Sequence, residues 1–201
     1  LCDPKYRVSS HYFIKNNGEV LNLVPDLYIA WHAGKSNWKN LKSLNKYSIG
    51  IEINNPGHDH GYKIFSSKQL ISLVKLIRYL KKRYNIKKQN ILGHSDISPN
   101  RKKDPGEKFP WSKLAQKNLC NWHNLNEKNI KKFRKQKLKA NQEKLFFKNL
   151  KKIGYSKIGK FSLHSKNLSL IKAFQRRYRQ GLIDGKIDKE CLLISKSIAK
   201  I

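Results

Sequence analysis

Gly93-His94-Ser95-Asp96-Ile97-Ser98-Pro99-Asn100-Arg101-Lys102-Lys103-Asp104-Pro105-Gly106, closing on Phe109-Pro110-Trp111, is the stretch that decides how this chain is read. An imidazole, a carboxylate ten residues later and a cation between them share one loop punctuated by Pro99, Pro105 and Gly106. His94 and Asp104 are too far apart to sit on one helical face, but a loop that folds back on itself brings them to one ion. Lys102 stands two residues before Asp104, and in extended backbone such residues point the same way, so its ammonium would lie beside that ion. Zinc held by a His nitrogen and a carboxylate oxygen, with one further protein ligand and one open position, lowers the pKa of its bound water toward neutrality. The stretch therefore points to hydrolysis; the plainer alternative is a solvated basic loop with an incidental His.

Upstream, Asn90-Ile91-Leu92-Gly93 reads as a short strand ending at His94, which puts the candidate ligand where α/β proteins commonly place their sites. Ser66 with Gln69 three positions on forms a capping box. Leu70, Leu73, Val74, Ile77 and Leu80 then recur at helical spacing up to Tyr84. Ser48-Ile49-Gly50-Ile51-Glu52-Ile53 alternates as a strand that sets Glu52 on the face opposite Ile51 and Ile53, where a carboxylate could serve as general base. A Glu paired with a lysine is its plainer reading. Residues 8–14 and 20–24 flank an Asn17-Gly18 turn and predict a hairpin. Trp31-His32-Ala33-Gly34 follows it in a loop suited to substrate contact, although a lone His in such a place is more often structural.

Downstream, residues 124–139 turn Lys-rich and poor in large apolar side chains, which predicts a basic linker between a first domain over 1–123 and a second over 140–201. Leu145, Phe146, Leu150 and Ile153 form one helical face; Leu168, Ile171, Phe174 and Tyr178 form another. Leu192, Leu193 and Ile198 can line a third, so a small three-helix α domain is the simplest packing. The fold class is α/β: a mixed β-sheet flanked by helices, then the helical module.

The chain has 201 residues and 44 Lys and Arg against 13 acids, a formal charge of +31. An anionic polymer or surface is the partner such a charge favours; a codon bias toward Lys, Ile and Asn would give the same composition with no functional cause. Cys2, Cys120 and Cys191 are scattered, without the spacing of a zinc knot or a disulfide framework, and read as buried apolar residues. No apolar run approaches the roughly 20 residues needed to cross a bilayer. The chain contains no Met, from which the expectation is that the natural N-terminus lies upstream of Leu1 or was cut away.

Four motifs in order, His11-Tyr12-Phe13-Ile14, Trp31-His32-Ala33-Gly34, Ser48-Ile49-Gly50-Ile51-Glu52 and the Gly93 to Trp111 stretch, resemble the zinc-dependent N-acetylmuramoyl-L-alanine amidases, a family that includes the peptidoglycan recognition proteins. The resemblance covers about residues 5–123 and is specific through the conjunction of the motifs. It implies cleavage of the amide between the lactyl group of N-acetylmuramic acid and L-Ala of the stem peptide by zinc-activated water. It makes His94 and Asp104 zinc ligands, Glu52 the catalytic carboxylate and Lys102 the lysine that stabilises the transition state. The family's first zinc ligand is a His on an earlier strand, which is expected upstream of Leu1; otherwise the ion must borrow His32 or His11, or is absent.

The tail, Leu170 to Tyr178 with Gly181 and Ile183-Asp184-Gly185-Lys186-Ile187-Asp188, resembles the small peptidoglycan-binding domain that often follows such amidases. This implies that Arg176 and Arg177 could hydrogen-bond glycan or peptide carboxylates, while Phe174 belongs to the core. Trp31 and His32 complete the substrate-binding set. The expected cofactor is Zn2+ and the expected partner peptidoglycan or a muropeptide, with an anionic envelope surface as a further candidate. No nucleic acid is expected, and the chain is read as a monomer in the bacterial periplasm or envelope. Two rivals stand beside this: a binding protein that kept the fold and lost the reaction, and a nucleic-acid-binding protein suggested by charge alone.

Overall fold

The structure, a computed structural model, describes residues 8–156 and 164–200. Cys2 and the position upstream of Leu1 lie outside the described residues. Strands β1 (Tyr12–Ile14) and β2 (Val20–Asn22) pair antiparallel across the Asn17-Gly18 turn. β3 (Asn37–Trp38) and β4 (Leu41–Lys42) make a separate two-stranded ribbon. β5 (Ile51–Ile53) runs parallel to β1, giving a mixed sheet of order β2-β1-β5. Phe13 lies opposite Glu52 in that register.

Helix α1 (Ser67–Arg83) starts at the capping box read from the sequence: the Gln69 amide donates to Ser66 Oγ at 3.1 Å and the Ser66 amide to Gln69 Oε1 at 3.0 Å. Both donors are orphans of the first turn, so the pair marks a sharp start. Leu73, Leu76, Ile77 and Leu80 are buried against Ile14, Phe65, Phe109, Trp111 and Leu114, each burial contributing about 1.5–3 kcal/mol. This core covers the Ile51 and Ile53 face of the sheet, which leaves Glu52 to the other side.

The strand expected at Asn90–Gly93 does not form. A 3₁₀ turn occupies Lys88–Asn90, and the next residues run unpaired into a one-turn helix, α2 (His94–Ile97). The Ile91 carbonyl, which a neighbouring strand would have used, instead accepts from the Arg177 guanidinium at 2.8 Å. His94 therefore opens a helix rather than closing a strand.

Helices α3 (Trp111–Gln116), α4 (Glu127–Lys131), α5 (Ala140–Ile153), α6 (His164–Tyr178) and α7 (Lys189–Ile198) complete the chain. The three expected tail helices are α5 to α7, with Phe146, Leu150, Ile171, Phe174, Tyr178, Leu192 and Ile198 in one core. Leu168 is exposed and Leu193 half-buried, their expected places in the core being taken by Leu170 and Ile194. The linker reading needs correcting. Residues 124–139 hold α4, bury Ile130 in the tail core and are pinned by Arg134, which makes two bonds to Glu190 at 2.7 and 2.9 Å. The composition shifts there because solvent-facing lysines crowd one side of a segment whose other side is packed.

The tail core also takes in Ala33, Trp38 and Leu44 from the first half of the chain. Gly154 ends α5 at φ 133°, and a Cβ there would come within 2.5 Å of the Trp38 ring. Replacing Gly154 by Ala is expected to destabilise the fold by about 1–3 kcal/mol through strain and overpacking, read as a lower urea midpoint.

Candidate active site

The loop after α2 folds back as the sequence suggested. The Arg101 and Lys102 amides both donate to the Ser98 carbonyl at 3.0 Å, and the Ser95 amide donates to the Asp104 carbonyl at 2.9 Å, which closes the loop. His94 Nδ1 consequently lies 3.0 Å from Asp104 Oδ2. A carboxylate only accepts, so Nδ1 carries the proton in this pairing. Pro105 packs over Gly93, where a Cβ would come within 2.7 Å of the proline ring, so this close approach needs glycine.

Glu52, His94, Lys102, Trp31 and His32 line one cleft of about 340 Å³, together with Val8, Gly34, Asn45 and Arg101. β5 aims Glu52 into it from below and the returning loop brings Lys102 from the side. Burial pushes the Glu52 carboxyl above its ordinary pKa, the Asp104 charge adds to this, and His94 and Lys102 pull the other way. For Asp104 burial also acts upward, but the hydrogen bond and charge of His94 prevail and hold it below its usual range. The Glu52 carboxyl in the cleft and the Asp104 carboxyl behind His94 are thus drawn apart, the pattern by which acid and base roles are divided.

Trp31 is half exposed, presenting an apolar ring at the cleft's rim. Burial, then the neighbouring His11, push His32 down to about 4, so it is a neutral imidazole at physiological pH. Its Nδ1 lies 3.1 Å from the Ala30 carbonyl and its Nε2 3.0 Å from Ser48 Oγ.

The expected substrate role of Arg177 is corrected. Its side chain is 2 % exposed and its Nη1 donates to Asp96 Oδ2 at 2.7 Å, so no glycan can reach it. Helical phase decides this: Arg177 follows Ile171 and Phe174 on the packed side of α6. Arg176 is half-buried beside Glu107 and is not among the residues lining the cleft.

Arg101, Asn45 and Val8 line the cleft without having been given a site role from the sequence. Arg101 Nη2 donates to the Ala33 carbonyl at 2.8 Å and lies 3.2 Å from His94 Nε2; Asn45 Oδ1 accepts from the Ala33 amide at 2.7 Å. Both tie the Trp31–Gly34 loop to the site. The cation adjacent to Lys102 was the available signal for Arg101; nothing local marked Asn45.

An imidazole nitrogen and a carboxylate oxygen held side by side suit two of the three protein positions of a catalytic zinc. Among the described residues no third His, Cys, Asp or Glu joins them. His11 does not substitute: its Nδ1 accepts from the Gly50 amide at 3.0 Å and its Nε2 meets the Tyr28 carbonyl at 3.0 Å. His32 is likewise engaged at both nitrogens.

Known proteins are similar to this chain over the stretch that holds the cleft. Residues 1–107 match the Amidase_2 family, described as N-acetylmuramoyl-L-alanine amidase. The chain is 33% identical over 204 residues to the N-acetylmuramoyl-L-alanine amidase AmiD of Escherichia coli, covering 96% of this chain and 74% of that one. It is 40% identical over 108 residues to the 1,6-anhydro-N-acetylmuramyl-L-alanine amidase AmpD of Haemophilus influenzae, spanning 53% of this chain and 56% of the relative. The solved complex of Escherichia coli AmiD with anhydro-N-acetylmuramic acid-L-Ala-D-gamma-Glu-L-Lys superposes with a TM-score of 0.83 at 31% identity, over 96% of this chain and 80% of the other. That superposition runs through the tail helices as well as the cleft.

Proposed function

This chain belongs to the N-acetylmuramoyl-L-alanine amidase family, and from that premise we propose how its own residues cleave the amide between N-acetylmuramic acid and L-Ala of a muropeptide. The observation that carries the reading is the convergence of Glu52, His94 and Lys102 on one cleft, with Asp104 bonded to His94 at its edge. His94 and Asp104 would hold a zinc ion, together with a ligand from outside the described residues. Zinc bound there supplies Lewis acidity and a water of lowered pKa.

The remaining chemistry belongs to side chains. Glu52, its proton affinity raised by burial, accepts a proton from the attacking water and returns it to the leaving amine. The Lys102 ammonium meets the oxygen that becomes negative as the carbonyl turns tetrahedral. Trp31 offers an apolar ring for the sugar or the stem peptide. Neutral His32 orients the rim through the Ala30 carbonyl and Ser48.

AmiD was solved with an anhydro-muropeptide, which favours muropeptides of that class as substrate here. The formal charge of +31 favours work beside anionic wall polymer in the periplasm or envelope. Among the described residues no helix is long and apolar enough to cross a membrane. Of the two arginines expected to hold wall polymer, Arg176 stays available, since Arg177 is committed to Asp96.

The test is to incubate the full-length protein with an anhydro-muropeptide and measure released stem peptide and bound zinc. One zinc per chain and release that stops with chelator and returns with zinc is the expected result. Tight muropeptide binding without zinc and without release would establish the binding-protein reading instead. Lys102→Met is expected to lower kcat by about 10²–10³-fold with KM little changed, as removal of one oxyanion donor does elsewhere.

A further inference from the structure

A buried carboxylate joins the tail to the floor of the cleft. Asp96, the third residue of α2, is 2 % exposed. Its Oδ2 accepts from Arg177 Nη1 at 2.7 Å and from the Gly93 amide at 2.8 Å, and its Oδ1 accepts from the Tyr155 hydroxyl at 2.7 Å. Arg177 goes on to bond the Ile91 carbonyl and lies 3.9 Å over the Trp111 ring. Tyr155 sits just past the end of α5 and Arg177 near the end of α6, so two tail elements meet on one carboxylate.

His94 is the first residue of that same one-turn helix. A single turn has no stability of its own, because fixing its dihedrals costs more than its few hydrogen bonds return. The His94 ring is held at its nitrogens by Asp104 and Ala33, and the backbone that carries it is set by what grips Gly93 to Asp96 from outside. Two of the three donors on Asp96 come from the tail. An apolar contact would have joined the two halves with less desolvation, whereas fixed donors on one carboxylate select one orientation. Among the described residues the tail's other buried ion pairs, Arg134–Glu190, Arg179–Asp188 and Arg179–Glu190, stay within the region of α4 to α7.

We propose that Arg177 and Tyr155 are positioning residues of the amidase reaction: they hold Asp96, Asp96 holds the start of α2, and α2 aims His94. The tail helices are then a working part of the catalytic module, whatever contact they make with the wall. This rests on the amidase reading above.

The experiment uses the full-length protein with four substitutions. Tyr155→Phe removes one donor at nearly constant volume, and Arg177→Lys keeps the charge but loses the fork that spans Asp96 and Ile91. Arg177→Met removes the charge. Leu192→Ala, in the tail core away from Asp96, is the control for simple loss of stability. kcat on a muropeptide is expected to fall about tenfold in Tyr155→Phe and about 100-fold in Arg177→Met with KM within about twofold, the scale that a misplaced catalytic group produces. Arg177→Lys should recover part of the loss. The ring ¹H–¹⁵N signals of His94 should move in all three variants, while Leu192→Ala lowers the melting temperature yet keeps kcat and those signals. If Arg177→Met does not fold, Tyr155→Phe and Arg177→Lys decide the matter: folded variants with unshifted His94 signals and wild-type kcat overturn the proposal. A wild-type protein that releases no stem peptide defeats the amidase reading instead, and the His94 signals still judge the positioning.

Discussion

Replacing Glu52 by Gln is expected to lower muropeptide turnover by about 10²–10⁴-fold, the range that a positioned general base contributes, while zinc content and fold are kept. The amide preserves the size of the side chain and removes its proton-accepting oxygen charge. The same change should relieve the fold. Because the folded pKa of Glu52 lies above its ordinary value, the native state holds this proton more tightly than the unfolded chain does. Stability from this group is therefore present below the ordinary glutamate pKa and is lost as pH rises through the window up to the raised one. Above that window the ionised carboxylate is a burden on the fold, so at such a pH Glu52→Gln should melt no lower than wild type. The acid limb of the kcat/KM profile should sit above the usual carboxylate range and vanish in the variant's residual activity. A folded Glu52→Gln protein with undiminished turnover would remove Glu52 from the mechanism.

Asp96→Ala should be among the most destabilising single changes in the molecule. It leaves the Arg177 guanidinium buried without its counter-ion and orphans the Tyr155 hydroxyl and the Gly93 amide. Removing one partner of a buried ion pair costs about 3–5 kcal/mol. For a chain of this size that corresponds to a fall of about 6–20 °C in Tm. Asp59, exposed on the surface, is the control, and Asp59→Ala should stay within about 0.5 kcal/mol of wild type. In the double variant Asp96→Ala with Arg177→Met the charge no longer lacks a partner, so the combined loss should be smaller than the sum. Calorimetric melts of the four proteins form the cycle; strict additivity would mean that Arg177 and Asp96 are not coupled.

Elements whose cause is local were legible in the residues. The capping box at Ser66 and Gln69 marked the start of α1 because the reciprocal bonds lie within one turn. Asn17-Gly18 marked the β1–β2 hairpin because the turn's conformation is a property of those two residues. The alternation around Glu52 assigned it a face of β5 because the strand period is two. Where an outcome hangs on distant partners, local reading failed. Asn90–Gly93 is rich enough in apolar residues for a strand, but its carbonyl partner is Arg177 on α6. Residues 124–139 are composed like a tether, yet Ile130 and Arg134 pack on helices that come later in the chain.

The candidate site divides along the same line. Amino-acid order alone supplied the candidate groups: an imidazole and a carboxylate on a loop punctuated by prolines and glycine, a lysine beside them and a glutamate on a strand, because side-chain type and short-range spacing decide which reactions a group can join. Only the packed molecule decided which cations face the cleft and which lie beneath it. Arg101 reaches the Ala33 carbonyl, while Arg177, equally basic in the sequence, is sealed on Asp96. The physical reason is that burial and ion pairing depend on the distance between residues some eighty positions apart, and no local pattern encodes that distance.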